Sequence, residues 1–416
     1  MERSRDWHPV DLGADLVCAV YKQRGEHTGV LTYLTCDIIP CMPVEPLAPP
    51  VWVNTPQSLA RMAADLASQP RIAVDTESNS LHAYRERVCL IQFSTPQTDY
   101  LVDPIILADL SELAPIFADP NIEKIFHAAE YDLICLRRDF DFTFANLFDT
   151  MQASRILGYP AVGLDKLLDE KFGIKVDKRH QKADWGARPL KPDQIHYARF
   201  DTHYLCALRD VLELELIEKG RLPLAQEDFR RACEVDESRP KANGEAWERF
   251  AGRRDLNLRD LTILSELLET RDELAAQRDR PPFKVIEDDK LIAIARSAAS
   301  DKEGLIEAGM SEKQIRLWGG PVIEAVKRGV ERPLVKRRPI VRPSDAVAVR
   351  LDKLKNWRKT VAQQMGVESD VILPKPFVQL LAERAPRTAP DLEVLMAPLP
   401  WRYQQFGGQL LKLLGG

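Results

Sequence analysis

Long apolar runs are missing from this chain. No stretch of about 18 apolar residues occurs, so nothing in it reads as a membrane span. The first residues, MERSRDWHPVDLG, lack the apolar core of a signal peptide, which makes the cytoplasm the expected compartment. Cysteines are few and scattered, at Cys18, Cys36, Cys41, Cys89, Cys135, Cys206 and Cys233, and only Cys36 and Cys41 lie close together. With no CxxC or Cys/His set a zinc site is not expected, and the thiols read as buried side chains. Neither sign of charge dominates, since 58 Lys and Arg face 63 Asp and Glu for a net charge of −5. Any contact with nucleic acid must therefore use local patches.

What is present suggests several domains. A chain of 416 residues exceeds what one core usually covers, and 45% hydrophobic with 29% charged residues is an ordinary ordered composition. Residues 1–50 read as an N-terminal extension closing in the Pro-rich IIPCMPVEPLAPP, a linker. From 51 to 220 the pattern is α/β. A helix over 58–68 precedes three strands, RIAVDTES, RVCLIQFST and TDYLVDP, whose short connections predict an antiparallel meander. LSELAPIFADP reads as a helix, EKIFHA as a strand, YDLICLRRDF as a helix and NLFDT as a short strand, and the pattern is then helical to about Lys219. This predicts a mixed sheet with helices packed on it. Beyond Gly220 only helices are expected, in blocks over 235–330 and 344–416 separated by a basic, Pro-containing linker at 331–343. The blocks look like a repeat: Leu264, Leu267, Arg271 and Ala275 recur as Leu351, Leu354, Arg358 and Ala362, Val285 and Ile286 as Val371 and Ile372, and Trp318 roughly as Trp401.

Four acids and a tyrosine stand out by their settings. Asp75 and Glu77 follow the apolar Ile72–Val74 at i and i+2, so a strand points both to one face. Asp132 comes shortly after the strand KIFHA, at the start of a helix, and the carboxyl end of such a strand is where functional groups gather. Tyr197 and Asp201 are i and i+4 on a helix whose next turns bring Leu205 and Leu208. Taken singly, each has a bland reading as a surface acid, a first-turn acid or a packing tyrosine. Paired carboxylates at the end of a core strand are harder to dismiss, because like charges in a partly dry site need a cation. With no Cys or His cluster to match, Mg²⁺ or Mn²⁺ is the expected occupant.

IAVDTES, FHAAEYDLICL and YARFDTHYL resemble the three motifs of the DEDD superfamily of 3′→5′ exonucleases, in the branch with tyrosine in the third motif, and are most similar to ribonuclease D. LFDTMQASRILGYP and DWGARPL fit the same pattern, so the resemblance covers about 55–218. The helical blocks resemble HRDC domains, the helical modules that follow the nuclease in that family. This resemblance implies an α/β ribonuclease H-like exonuclease domain followed by two small all-α HRDC-like domains. It also implies that Asp75 bridges two divalent metal ions, that Glu77 and Asp201 help hold the ion that activates water, that Asp132 acts through coordinated water, and that Tyr197 orients the attacking water. Such a site hydrolyses a phosphodiester without a protein nucleophile, which suits a chain with no Ser/His/Asp set. RNA with an accessible 3′ end, tRNA precursors in particular, is the implied substrate.

Around this centre, Lys178, Arg179, Lys182, Arg188 and Lys191 read as a phosphate-contacting rim, or else as a solvated loop. His127 and Tyr131, beside Asp132, are candidates to stack on or bond the terminal nucleotide, with His127 equally readable as a satisfied core histidine. The helical blocks are expected to hold RNA or a partner, and no particular protein partner is indicated. A DNA exonuclease, a non-catalytic RNA-binding protein on the same fold and a purely structural ion site remain as alternative readings.

Overall fold

The computed structural model describes residues 48–234, 246–337 and 343–415, so the expected extension over 1–50 lies almost wholly outside the described residues, as do Cys18, Cys36 and Cys41. The first unit is built on a six-stranded sheet in the order β1-β4-β3-β2-β5-β6. Its strands are β1 (Val51–Val53), β2 (Arg71–Ser78), β3 (Val88–Ser94), β4 (Asp99–Val102), β5 (Glu123–Phe126) and β6 (Leu147–Asp149). β2, β3 and β4 form the expected antiparallel meander, and β5 and β6 continue the sheet in parallel on the other side of β2. Every residue of β3 is buried, as expected of a strand covered on both faces. β1 was not anticipated. It is only three residues long, and pairing with Tyr100–Val102 rather than an apolar pattern makes it a strand.

Helices α1 (Pro56–Ser68), α2 (Ala114–Ala118), α3 (Glu130–Phe140), α4 (Thr150–Leu157), α5 (Leu164–Phe172), α6 (Pro192–His203), α7 (Leu205–Glu218) and α8 (Leu222–Cys233) surround the sheet. α1 shows why these segments fold as they do. Thr55 and Ser58 close a capping box, Pro56 occupies the first turn, and Leu59, Met62 and Leu66 line the buried face. Burying each such side chain contributes about 1.5–3 kcal/mol. The helix expected over LSELAPIFADP is split into a 3-10 turn at Ser111–Leu113 and the short α2.

The sheet's register creates the crevice that matters. β2 pairs with β5 only over Arg71–Ala73, whereas its pairing with β3 continues to Ser78. Asp75–Ser78 therefore have an open edge where β5 has ended and turns toward α3. An opening at the carboxyl ends of parallel strands is where α/β sheets place ligands.

The helical remainder is a repeat. α9 (Leu258–Gln277), α10 (Pro282–Val285), α11 (Asp288–Ser297), α12 (Lys302–Glu307) and α13 (Glu312–Glu331) are followed by α14 (Asp345–Met365), α15 (Ser369–Ile372), α16 (Lys375–Arg384), α17 (Ala389–Leu395) and α18 (Pro400–Gly415). Arg271 donates to the Ile286 carbonyl at 2.8 Å, and its counterpart Arg358 donates to the Leu373 carbonyl at 2.9 Å. Ala298 and Ala385 end equivalent helices in the left-handed conformation. These bonds correct part of the expected register. Val285 and Ile286 answer to Ile372 and Leu373, and Trp318-Gly-Gly answers to Phe406-Gly-Gly, so Trp318 does not pair with Trp401. The basic stretch is also not a free linker over its described part. Glu331 closes α13, Arg332 pairs with Glu266, and Arg337 bonds the Leu256 carbonyl.

The second helical block is fastened to the sheet domain. Arg402, with no surface exposed, pairs with the equally buried Glu227 and with Asp228 at 2.9 Å, and also bonds the Val371 and Ile372 carbonyls. Glu227 accepts from the backbone N–H of Trp401 at 2.6 Å and so caps a helix of the other domain. Arg221 bonds the Met365 carbonyl at 2.5 Å, and Arg155 pairs with Glu368 and Asp370. In the first block Gln314, the equivalent of Arg402, donates to the Val285 carbonyl at 3.2 Å, and its other bonds, to Ser311, Lys290 and Glu287, stay within that block. That block meets the sheet domain through Tyr84, whose hydroxyl donates to Asp272 at 2.6 Å. Removing one partner of a buried ion pair strands the other, so Arg402→Ala and Glu227→Ala should each cost about 3–5 kcal/mol. Urea unfolding followed by tryptophan fluorescence measures this, and unchanged midpoints would show that the anchor carries no stability.

Candidate metal centre

Asp75 and Glu77 project from β2 into the crevice, and Asp201 descends from α6, bringing ligand oxygens of all three within 4.8 Å of one another. No other group of His, Cys, Asp and Glu among the described residues is spaced to hold an ion. Asp132, in the first turn of α3, stands just outside this group, and its carboxylate accepts a hydrogen bond from the Thr76 hydroxyl. Tyr197, one turn before Asp201, packs its ring 6.0 Å from those of Trp185 and His180. The structure thus brings together all five residues singled out in the sequence.

The electrostatics show what the cluster needs. Burial pushes the Asp75 carboxyl well above its ordinary value, and Asp132, Asp201 and Glu77 push it further. Burial, then Asp201 and Asp132, raise Glu77 in the same way. Asp132 is pushed up to about 7, chiefly by burial, with the Thr76 hydroxyl opposing. Asp201 is pushed up to about 8 by burial and by Asp132. The charges acting on these carboxylates are thus other carboxylates, which is a site short of positive charge. An all-oxygen donor set of this kind fits a hard divalent ion. Tyr197 is raised by burial and by the surrounding acids, so its hydroxyl keeps its proton at neutral pH.

Sequence reasoning missed the residues that hold the cluster in shape. Thr76, between the two β2 acids, points to the opposite face and secures Asp132. Asp149, at the end of β6, accepts from the N–H groups of Ala128 and Ala129 at 3.1 and 2.9 Å, and from Met151 and Gln152 at 2.9 and 3.1 Å. It thereby fixes the turn into α3, where Ala128 adopts a positive φ of 68°. The only hint in the sequence was Asp-Thr ahead of a helical run, a usual N-cap pattern. Asp99 holds α6 from below through Arg199 and His203, and it accepts from Ser94 of β3, which also bonds Thr202 of α6.

Comparison with known proteins agrees with this arrangement. Residues 50–217 match the family described as 3'-5' exonuclease, and residues 260–326 and 348–414 each match the HRDC domain. The chain is 34% identical over 272 residues to the exosome complex exonuclease RRP6 of Saccharomyces cerevisiae, covering 62% of this chain and 37% of that protein. Its structure is similar to Escherichia coli RNase D, with 26% identity, a TM-score of 0.65, and 88% and 99% of the two chains covered. The catalytic core of RRP6 from Trypanosoma brucei gives 28% identity and a TM-score of 0.59 over 68% of this chain and 80% of that one. The chain carries a 3'-5' exonuclease domain followed by two HRDC domains. It spans less than half the length of the curated relatives it matches, such as 37% of the yeast protein and 19% of Protein RRP6-like 3 of Arabidopsis thaliana.

The phosphate-contacting rim expected from the basic loop is only partly available here. Arg188 is a correction. Its guanidinium grips the buried Asp103 at 2.6 and 2.9 Å and bonds the carbonyls of Cys89, Trp185 and Ala187, so its donors are committed to the fold. Lys178 and Arg179 are exposed but paired with Asp165 and Asp177, and Lys182 is exposed. His127 is hydrogen-bonded to Thr150 at 2.9 Å, and burial lowers its pKa, which is the satisfied-histidine arrangement. Tyr131 is 49% exposed beside Asp132. A cavity of about 500 Å³ lined by Glu123, Phe148, Arg209 and Phe229 lies toward the opposite ends of β5 and β6, away from the carboxylates.

The raised carboxyl groups set a pH dependence. A carboxyl with a folded pKa above its unfolded value takes up protons on folding, so this site's contribution to metal-free stability falls as pH rises from about 4. The parts due to Asp132 and Asp201 are lost as pH passes about 7 and about 8. A divalent ion must displace those protons. Its affinity should therefore climb across the same window, with proton release seen by calorimetry in buffers of different ionisation enthalpy. Mn²⁺ binding without proton release near neutral pH would contradict this.

Proposed function

We propose that the chain is a metal-dependent 3′→5′ exoribonuclease that releases nucleoside 5′-monophosphates from RNA with an accessible 3′ end, tRNA precursors among its substrates. The observation that carries this reading is the Asp75, Glu77 and Asp201 group beside a protonated tyrosine hydroxyl. Similarity to E. coli RNase D, described as an exoribonuclease involved in structured RNA processing, favours RNA over DNA.

In this reading Asp75, Glu77 and Asp201 would hold Mg²⁺ or Mn²⁺, and Asp132, tied back by Thr76, would act on the ions through water. A bound pair of such ions supplies a water nucleophile near neutral pH and relieves charge on the leaving 3′ oxygen. Tyr197 directs the attacking water by hydrogen bonding and takes no proton from it. Tyr131 offers a ring to the terminal nucleotide, and Lys178, Arg179 and Lys182 steady phosphates in a salt-sensitive way. The HRDC domains hold structured RNA against this face.

The test incubates 3′-labelled and 5′-labelled RNA, and matched DNA, with Mg²⁺, Mn²⁺ or EDTA. Stepwise loss of mononucleotides from the RNA 3′ end, abolished by EDTA, is expected. Asp75→Asn should abolish turnover with circular dichroism and RNA affinity near those of the parent. Tyr197→Phe should lower kcat about a hundredfold with little change in KM, as expected for a misdirected nucleophile. Turnover by Asp75→Asn comparable to the parent would overturn the reading.

A further inference from the structure

Gln92 is a polar side chain that the fold has sealed in without a partner. It has no exposed surface, and neither its Oε1 nor its Nε2 makes a hydrogen bond among the described residues. An orphaned buried amide is destabilising, and native structures contain few. Its position is specific. On β3 it stands directly opposite Asp75 of β2, and on its other side it faces Leu101 of β4. Residues paired in this way point to the same face of a sheet, with Cβ atoms about 4.5–5.5 Å apart. That face carries Asp75 and Glu77 and is covered by α6, whose Ala198 packs with Leu90, Leu101 and Trp185. Two residues along β3, Ser94 is satisfied by Asp99 and Thr202, both at 2.7 Å. The polar contacts that fix α6 are thus made without Gln92.

The chemistry of the carboxamide suits its neighbour. Lysine or arginine at this place would neutralise Asp75 and compete with a cation for it. Leucine would pack as well but could not direct a carboxylate. Glutamine offers an N–H donor with no charge, able to fix a carboxylate's orientation while leaving the site's negative charge for an ion. Resting on the metal-centre reading above, we propose that Gln92 is a positioning residue of that centre. Its amide holds the Asp75 carboxylate in the ligating orientation by a hydrogen bond, direct or through one water, that forms when a divalent ion draws Asp75 into place. Groups that orient a metal ligand in this way typically account for 10–100-fold in metal affinity.

The decisive contrast is between stability and metal affinity, because a merely tolerated amide and a positioning amide move them differently. Gln92→Met and Gln92→Leu remove the unpaired amide at similar volume. In the metal-free protein both should melt at or above the parent temperature. Their dissociation constants for Mn²⁺, titrated calorimetrically at fixed pH, should rise at least tenfold. In the Asp75→Asn background Gln92→Met should add no further loss, since the carboxylate it acts on is gone. A Mn²⁺ affinity within threefold of the parent in either folded variant would overturn the proposal. So would failure of both variants to fold, which would mean that the amide has a structural partner. If Asp75→Asn itself leaves Mn²⁺ binding unchanged, the metal-centre reading has failed. If Asp75→Asn weakens binding while the Gln92 variants do not, only the role of Gln92 is lost.

Discussion

Repulsion among carboxylates that the fold refuses to hydrate fully is the constraint behind this molecule's first domain. Asp75, Glu77 and Asp201 converge in a crevice where each raises the free energy of ionising the next. A fold selected for stability alone would place a lysine or an apolar side chain there. The surrounding architecture instead keeps the acids close. β2 outruns its partner β5 to make the opening, α6 is tied to β4 through Asp99, and Asp149 holds the turn that delivers Asp132. The apparent waste of stability is what a cation-binding site requires.

Much of this was legible in the sequence, for definite reasons. Paired acids closing an apolar strand carry a signal because their spacing, two residues, matches the strand period and no bland packing rule asks for it. Tyr197 and Asp201 carry one because four residues matches the helix. The meander, the β5–α3 unit and the helical blocks followed from apolar periodicity. Strand β1 did not, since three residues give no period. Arg188 misled because a loop rich in Lys and Arg says nothing about which guanidinium faces inward. That depended on Asp103, 85 residues away in sequence, meeting it in the fold. Thr76 and Gln92 were invisible for a similar reason, and Asp149 showed only as an N-cap pattern. Their importance lies in what stands opposite, and a single sequence does not record neighbours across strands.

The repeat was readable where identical residues recur and misaligned where they do not. Arg271 and Arg358 keep one job, bonding an equivalent carbonyl, and so keep their identity. Trp318 and Phe406 share only a place in the core, which tolerates any large apolar ring. The tryptophan at 401 drew attention by its rarity, yet it packs at the contact between domains and has no mirror image in the first copy.

Gln314 and Arg402 mark one position at which the two copies diverge in what they hold. Both close their own bundle onto a backbone carbonyl, but only the longer, charged one reaches across to Glu227 and Asp228. That amide-to-guanidinium difference supplies one of the contacts, with Arg221 to Met365 and Arg155 to Glu368 and Asp370, that weld the second module to its neighbour. The second copy thus forms part of the wall of the sheet domain, and a substitution at its contact face is felt in both domains.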